Sequence, residues 1–442
     1  MRKLYFFNVL IFSFLLTFGQ TPGEQSVREL HRNLLTLDSH TDTPLWLVRE
    51  GIDFMSDNRN KAGSKVDYRR MQEGGLDAVF MAVFTPQGKT DSSGYARAYA
   101  QAKDLFNAIH QLISRNPEHI ALATQPDQVV ANADKGRVSI LIGVENGYPL
   151  GEDIRRVEEF YRLGARYITL SHTRNNQICD ASTDKFSVGG LSEFGREVVR
   201  EMNRLGMLVD VSHISDAAFY DVMKTSTKPV IASHSNARAV CDHPRNLTDD
   251  MLKALAQNGG VVQVCLLSDY VKTFPPDLAR DSAIKAWESR YPDYGSLDEA
   301  TKAQARNERR LIEQRFPRPK ATVSDLVDHI DHIVKVAGID HVGIGSDFDG
   351  GGGLSDCQDA KDKGFMRDIL RYEESRVKGF RFQVSGSKFQ VSGFRFQFQV
   401  SSLGFQTNQV YGFRNMYEPM IYWSCYSTIA IVSAPWLTFR LG

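Results

Sequence analysis

Histidine, aspartate and glutamate side chains recur in this chain where short apolar runs come to an end. His40 and Asp42 follow LLTLDS, Glu145 follows VSILIGV, and His172 follows YITLS. His213 follows LVDVS, His234 follows VIAS, and Asp347 follows VGIGS. Imidazole nitrogens and carboxylate oxygens are ligands that divalent zinc takes, and a catalytic zinc keeps one position open for water. Two cations about 3.5–4 Å apart need a group that bridges them. His40 and Asp42 lie two apart in an extended segment, which turns both to one side, and Glu145 is the candidate bridge. His213 and His234 end consecutive runs and would complete a second site. A lone histidine after a strand is more often a structural hydrogen-bonder. Six runs that each deliver such a residue at the same end point to one polar site and to metal-assisted hydrolysis.

Something must hold those ends together. Eight runs read as strands: 34–39, 78–84, 138–144, 167–171, 207–212, 229–233, 260–267 and 341–346. Amphipathic stretches such as 151–163 and 195–205 lie between most of them. Strand–helix alternation argues for a parallel sheet, and eight repeats for closure. The expected fold is therefore α/β, a (β/α)8 TIM-like barrel of the metal-dependent hydrolase type, over residues 26–375. An open doubly wound sheet is the alternative, but it would gather its site at one crevice. The charged stretch 272–320 reads as a solvated helical insertion on the rim. No HExxH helix, GxSxG elbow or Walker phosphate loop is present. The run of four glycines at 350–353 lets backbone pass close to the site. His31, His110, His119, His243, His329, His332 and His341 lack the strand-end context and read as surface or packing residues.

Composition narrows the class further. Among 442 residues, 53 are basic and 53 acidic, which gives no reason to expect nucleic acid or an anionic membrane as partner. Arg2 and Lys3 precede an uncharged apolar run over 4–18. That is the pattern of a secretory signal peptide, here 1–20, and it is short for spanning about 30 Å of hydrocarbon. The expectation is an exported protein, periplasmic or secreted, without membrane attachment. Five cysteines without CxxC spacing supply neither a thiolate zinc site nor a disulfide framework. From 379 onward the chain changes character: variations on FRFQVSG repeat to about 406, a low-complexity pattern of β period. An uncharged stretch over 419–439 follows, interrupted by Pro435.

The motifs LDSHTDTP, GVENG, LSHTRNN, VDVSHISD, ASHSNARAVCDHPRNLTDDML and GIGSDFDGGGG together resemble the membrane dipeptidase (renal dipeptidase) family of zinc peptidases, in a bacterial-type member. The likeness runs from about 27 to 356. It implies dipeptide hydrolysis, including dipeptides with a C-terminal D-residue, and two Zn2+ per chain bridged by Glu145 and a water or hydroxide. By motif, His40 and Asp42 would hold one zinc, and His213 and His234 the other. His172 would polarise the scissile carbonyl, and Asp347 would shuttle a proton and meet the free amine. Arg245 would bind the substrate carboxylate, with Tyr270 beside it. A homodimer is an open expectation. The departure is the tail at 379–442, read as a replacement of the usual C-terminus by frameshift or fusion, which would destabilise the barrel. Another metal-dependent amidohydrolase, or an inactive derivative, are the competing readings.

Overall fold

A computed structural model describes residues 34–362 apart from 62, 186–188, 293 and 295–296, together with 383–384, 388–391 and 394–399. The leader read at 1–20, the stretch 419–439 and Cys425 lie outside the described residues. Residues 359–362 form a turn.

Eight parallel strands form a barrel. They are β1 (Leu37–Thr41), β2 (Ala78–Phe84), β4 (Val138–Glu145), β5 (Ala165–Thr169), β6 (Leu208–Asp210), β7 (Ile231–Ala232), β8 (Val261–Val264) and β9 (Val342–Ile344), paired in that order. Closure comes just past β9. Thr41 bridges Phe348 in parallel, the Asp42 N–H donates to the Phe348 carbonyl at 2.9 Å, and the Asp347 N–H donates to that of His40 at 3.0 Å. One strand escaped the sequence reading. β3 (Ile120–Leu122) lies outside the ring and pairs with the first half of β4, whose second half pairs with β5. Three residues are too few for a periodicity to register.

Alternation sorts the strand residues into two layers. Phe80, Leu141, Tyr167, Leu208, Ile231 and Val261 fill the barrel interior. Val79, Met81, Val83, Ile140, Ile142 and Ile168 face outward onto Phe106, Phe160, Val198 and Leu326 of the helices. Each fully buried aliphatic or aromatic side chain contributes roughly 1.5–3 kcal/mol relative to exposure. β2 and β4 are buried along nearly their whole length, as strands covered on both faces must be. Helices that follow the strands begin on side-chain caps. Ser192, Ser215, Thr248 and Thr322 each accept a backbone N–H in the first turn, satisfying donors that the helix leaves open.

Among its described residues, the stretch 272–320 contains two α-helices, Leu278–Arg290 and Glu299–Arg315. They pack through Trp287, whose indole N–H donates to the Ala305 carbonyl at 2.9 Å. The FQVSG repeat forms a separate three-stranded antiparallel sheet, β10 (Gln383–Val384), β11 (Lys388–Val391) and β12 (Phe394–Gln399). Among the described residues, no helix is long and apolar enough to cross a membrane. The four described cysteines, Cys179, Cys241, Cys265 and Cys357, are free and buried.

Candidate metal centre

The barrel brings all seven strand-end residues to one place. Glu145 sits at its middle. Oε2 lies 3.4 Å from His40 Nε2, while Oε1 lies 3.2 Å from His213 Nε2 and 3.6 Å from the Nε2 atoms of His234 and His172. Asp42 Oδ2 is 3.7 Å from His40 Nε2. Three sets of donor atoms converge closely enough to hold a cation: His40, Asp42 and Glu145; Glu145, His213 and His234; and His40, His234 and Asp347. Asp347 therefore stands among the possible ligands as well as beside them.

His40 and Asp42 reach this site by a route that simple alternation does not describe. Pairing of β1 with β2 shifts register between Asp38 and Thr41, a bulge that re-aims side chains. Asp42 has already left the extended conformation, at φ −89° and ψ 21°. Further distortion marks the other strand ends. The described non-glycine residues with positive φ are Asn146, His213, Asp347 and Asp349. Two are candidate site residues and the others lie within two positions of one, the clustering expected where function holds backbone in sparsely populated conformations.

The donor set fits divalent cations. His40, Asp42, Glu145, His213, His234 and Asp347 are all buried, and His40 Nε2 and Asp42 Oδ1 have no hydrogen-bond partner. The Nε2 atoms of His213 and His234 face each other at 2.8 Å. Burial, reinforced by the Arg245 guanidinium, pushes His213 well below the ordinary imidazole range. Burial, with His40 and Arg245, does the same to His234. Burial and Arg245 bring His172 down to about 3. These rings are neutral, the form that ligates a metal. Burial pushes Asp42 and Asp347 up, Glu145 adding to the first and Asp42 to the second. For His40 burial works against the charged ring, but Tyr167, Glu145 and Asp42 outweigh it and hold the group well above its usual value. Carboxylates crowded in a dry pocket lack countercharge, which bound cations supply.

Arg245 and Tyr270 flank this centre. Arg245 is 3% exposed; it donates to the His234 carbonyl at 3.0 Å and to Ser235 Oγ at 3.2 Å, and its Nε has no partner. Its guanidinium carbon lies 5.2 Å from the centre of the Tyr270 ring, and burial pushes that phenol up to about 12. His243, read from sequence as a surface or packing residue, packs against the same ring in a tilted arrangement, centroids 4.6 Å apart. His172 is the most open of the histidines in this cluster, with 21% of its side chain exposed, and lies against Phe84. His329 is a packing residue: its ring joins the Ala237 N–H to the Val271 carbonyl.

One support of the site was not visible as chemistry in the sequence. Tyr167 crosses the barrel, its hydroxyl 2.8 Å from His40 Nδ1 and donating to the Ser39 carbonyl at 3.2 Å. Gly143 makes room for it, since a Cβ there would sit 2.0 Å from the Tyr167 ring. Gly350, in the glycine run read as passing close to the site, does so. Its added Cβ would lie 2.1 Å from Asp42 Oδ2 and 2.3 Å from Asp347 Oδ1, which gives the glycine run its steric reason.

This chain is similar to known proteins. The model of the membrane dipeptidase family, peptidase family M19, matches residues 24–383. The dipeptidase tcpJ of Claviceps purpurea is 33% identical over 323 residues, covering 71% of this chain and 65% of that one, just under two thirds of its length. An uncharacterized dipeptidase of Schizosaccharomyces pombe is 30% identical over 342 residues, 74% of this chain and 72% of its own. Among solved structures, the probable dipeptidase PvdM from Pseudomonas aeruginosa superposes with a TM-score of 0.67 at 27% identity, covering 80% of this chain and 93% of that one. The family match passes the point at 356 where the motifs end and reaches the first FQVSG copy. On that coverage, the chain belongs to the membrane dipeptidase family, peptidase family M19.

Proposed function

We propose that this protein is a binuclear zinc dipeptidase that hydrolyses the peptide bond of dipeptides, including those with a C-terminal D-residue. One observation carries the reading: the two oxygens of Glu145 face two different groups, His40 with Asp42 on one side and His213 with His234 on the other. So placed, Glu145 would hold one cation together with His40 and Asp42, and a second together with His213 and His234. Bound there, two zinc ions would supply Lewis acidity and an activated water at neutral pH.

The remaining roles belong to side chains. His172, neutral and at the open side of the cluster, donates an N–H to the oxygen of the scissile carbonyl, an interaction that strengthens as negative charge develops there. Asp347, pushed up by burial and Asp42, takes a proton from the attacking water and passes it to the leaving amine. The same carboxylate meets the substrate's free amine, and Arg245, with Tyr270, holds the free carboxylate through its planar fork. A site that pairs an anion with one terminus and a cation with the other measures the distance between them. A tripeptide leaves one charge unpaired in a buried site, at a cost of several kcal/mol.

Residues 1–20 would direct the chain out of the cytoplasm, and the intact mass of exported protein checks whether they are removed. The test of function is metal analysis of the purified chain paired with hydrolysis of L,L- and L,D-dipeptides against a tripeptide. About two zinc per chain and cleavage of dipeptides alone is the expected result. A folded, zinc-loaded sample that cleaves no dipeptide would overturn the assignment.

A further inference from the structure

Asp210, the last residue of β6, is a fully buried carboxylate outside the three convergent donor sets. Its Oδ1 accepts the backbone N–H groups of Ser212 at 3.0 Å and Ser233 at 2.9 Å. Its Oδ2 accepts the hydroxyls of Thr169 at 2.5 Å and Ser233 at 2.6 Å. Ser233 Oγ in turn lies 2.8 Å from His234 Nδ1.

Proton counting fixes the direction of this chain. A carboxylate only accepts, and serine has one hydroxyl proton. With that proton given to Asp210, Ser233 Oγ can only accept from His234, so the His234 proton is on Nδ1. The lone pair is then on Nε2, which faces Glu145 Oε1 at 3.6 Å and His213 Nε2 at 2.8 Å. His213 has no such restraint, because its Nδ1 lacks a partner.

We propose that Asp210, acting through Ser233, is a positioning residue that locks His234 in the tautomer and ring orientation that present Nε2 to a metal. The inference rests on the reading of the site as a metal centre. It makes His234 the preformed ligand of its pair and His213 the one that settles on binding. Partners that orient a ligating histidine through its other nitrogen set metal affinity, and their loss weakens binding by roughly 10–100-fold.

A purely structural role must be separated from this one. The β6–β7 ladder is a single pair, Asp210 with Ile231, so Asp210 also ties two strands together. Removing Asp210 itself would strand two backbone N–H groups. Thr169→Val and Ser233→Ala are the better pair, since each deletes one hydroxyl from the same Oδ2 and only the second touches His234. Zinc affinity is measured by chelator competition on the full chain, with thermal unfolding of the metal-free forms alongside. Ser233→Ala is expected to weaken one of two zinc sites by roughly 10–100-fold, and Thr169→Val by less than about threefold, with similar shifts in Tm. Equal loss of affinity in both variants, or none in Ser233→Ala, would overturn the proposal while leaving the metal centre standing. A wild-type chain that takes up no zinc would overturn both.

Discussion

Arg245 offers the sharpest test of how a dipeptide is read. Its guanidinium is 3% exposed, two of its nitrogens hold the His234 carbonyl and Ser235, and Nε is left without a partner. A substrate carboxylate placed on this fork gains hydrogen bonds to a charged group worth roughly 1.5–3 kcal/mol each. Coulomb attraction at ~4 Å and an effective dielectric constant of ~20 gives about 4 kcal/mol for the charge pair. We take about 2–4 kcal/mol as the coupling, equivalent to roughly 30–1,000-fold in kcat/KM. Truncating Arg245 also disturbs the His234 backbone, so a single variant cannot isolate this term. A cycle can. The arms are wild type and Arg245→Met, each assayed on a dipeptide and on its C-terminal amide. Wild type should prefer the free acid by that factor, and Arg245→Met should lose the preference, because the backbone disturbance is common to both substrates and cancels. A coupling below about 0.5 kcal/mol, within the scatter for independent groups, would refute the role of Arg245 provided the variant still holds its metals.

Three other perturbations probe separate parts of the site. His172→Ala should lower kcat by roughly 10²–10³ with metal content unchanged; full activity, or loss of metal, would count against a role in polarising the carbonyl. Gly350→Ala places a Cβ within 2.1 Å of Asp42 Oδ2 and 2.3 Å of Asp347 Oδ1. Displacing both carboxylates should weaken zinc binding by roughly tenfold or more, and an unchanged dissociation constant would disprove the close approach. Metal uptake should also release protons near neutral pH. His40, held well above its ordinary value, carries a proton in the metal-free chain that a ligand must shed. Affinity should therefore rise with pH through neutrality, whereas His213 and His234, already neutral, contribute nothing to that slope. Calorimetry in buffers of different ionisation enthalpy reads the protons directly, and a pH-independent affinity would rule the argument out.

Much of this was legible before any coordinates. β2 occupies the residues read for it, 78–84, and β4 extends the reading of 138–144 by one residue to include Glu145. Those two strands are apolar on both faces, which is the signal that a run of Val, Ile and Phe transmits most clearly. β6 and β7 are harder. Their regular pairing shrinks to Leu208–Asp210 and Ile231–Ala232, because serine and aspartate side chains take over the bonding just beyond. Asp210, Ser233 and Thr169 lie inside the runs read as strands, 207–212, 229–233 and 167–171, and passed unnoticed because apolar periodicity assigns no role to a polar residue within a run. The convergence of His40, Glu145, His213 and His234 followed from strand order. Arg245 and Tyr270 came only from the family resemblance, since neither terminates an apolar run. The bulge in β1 depends on how two strands pair, and a single strand's sequence holds no record of its partner.

The left-handed residues at the rim bear on how this protein could be made hardier. Asn146, His213, Asp347 and Asp349 occupy a backbone region that glycine enters freely and other residues enter at a cost of roughly 1–3 kcal/mol each. Substituting glycine there would relieve that local strain, and a screen for heat tolerance would be drawn to it. The same substitution would erase His213 or Asp347 outright. Improvement by this route thus selects for empty barrels: sturdier, easily expressed and catalytically silent. Thermal engineering of this protein belongs at the far rim, away from the carboxyl ends of the strands, where the backbone is relaxed and stability can be raised without trading away function.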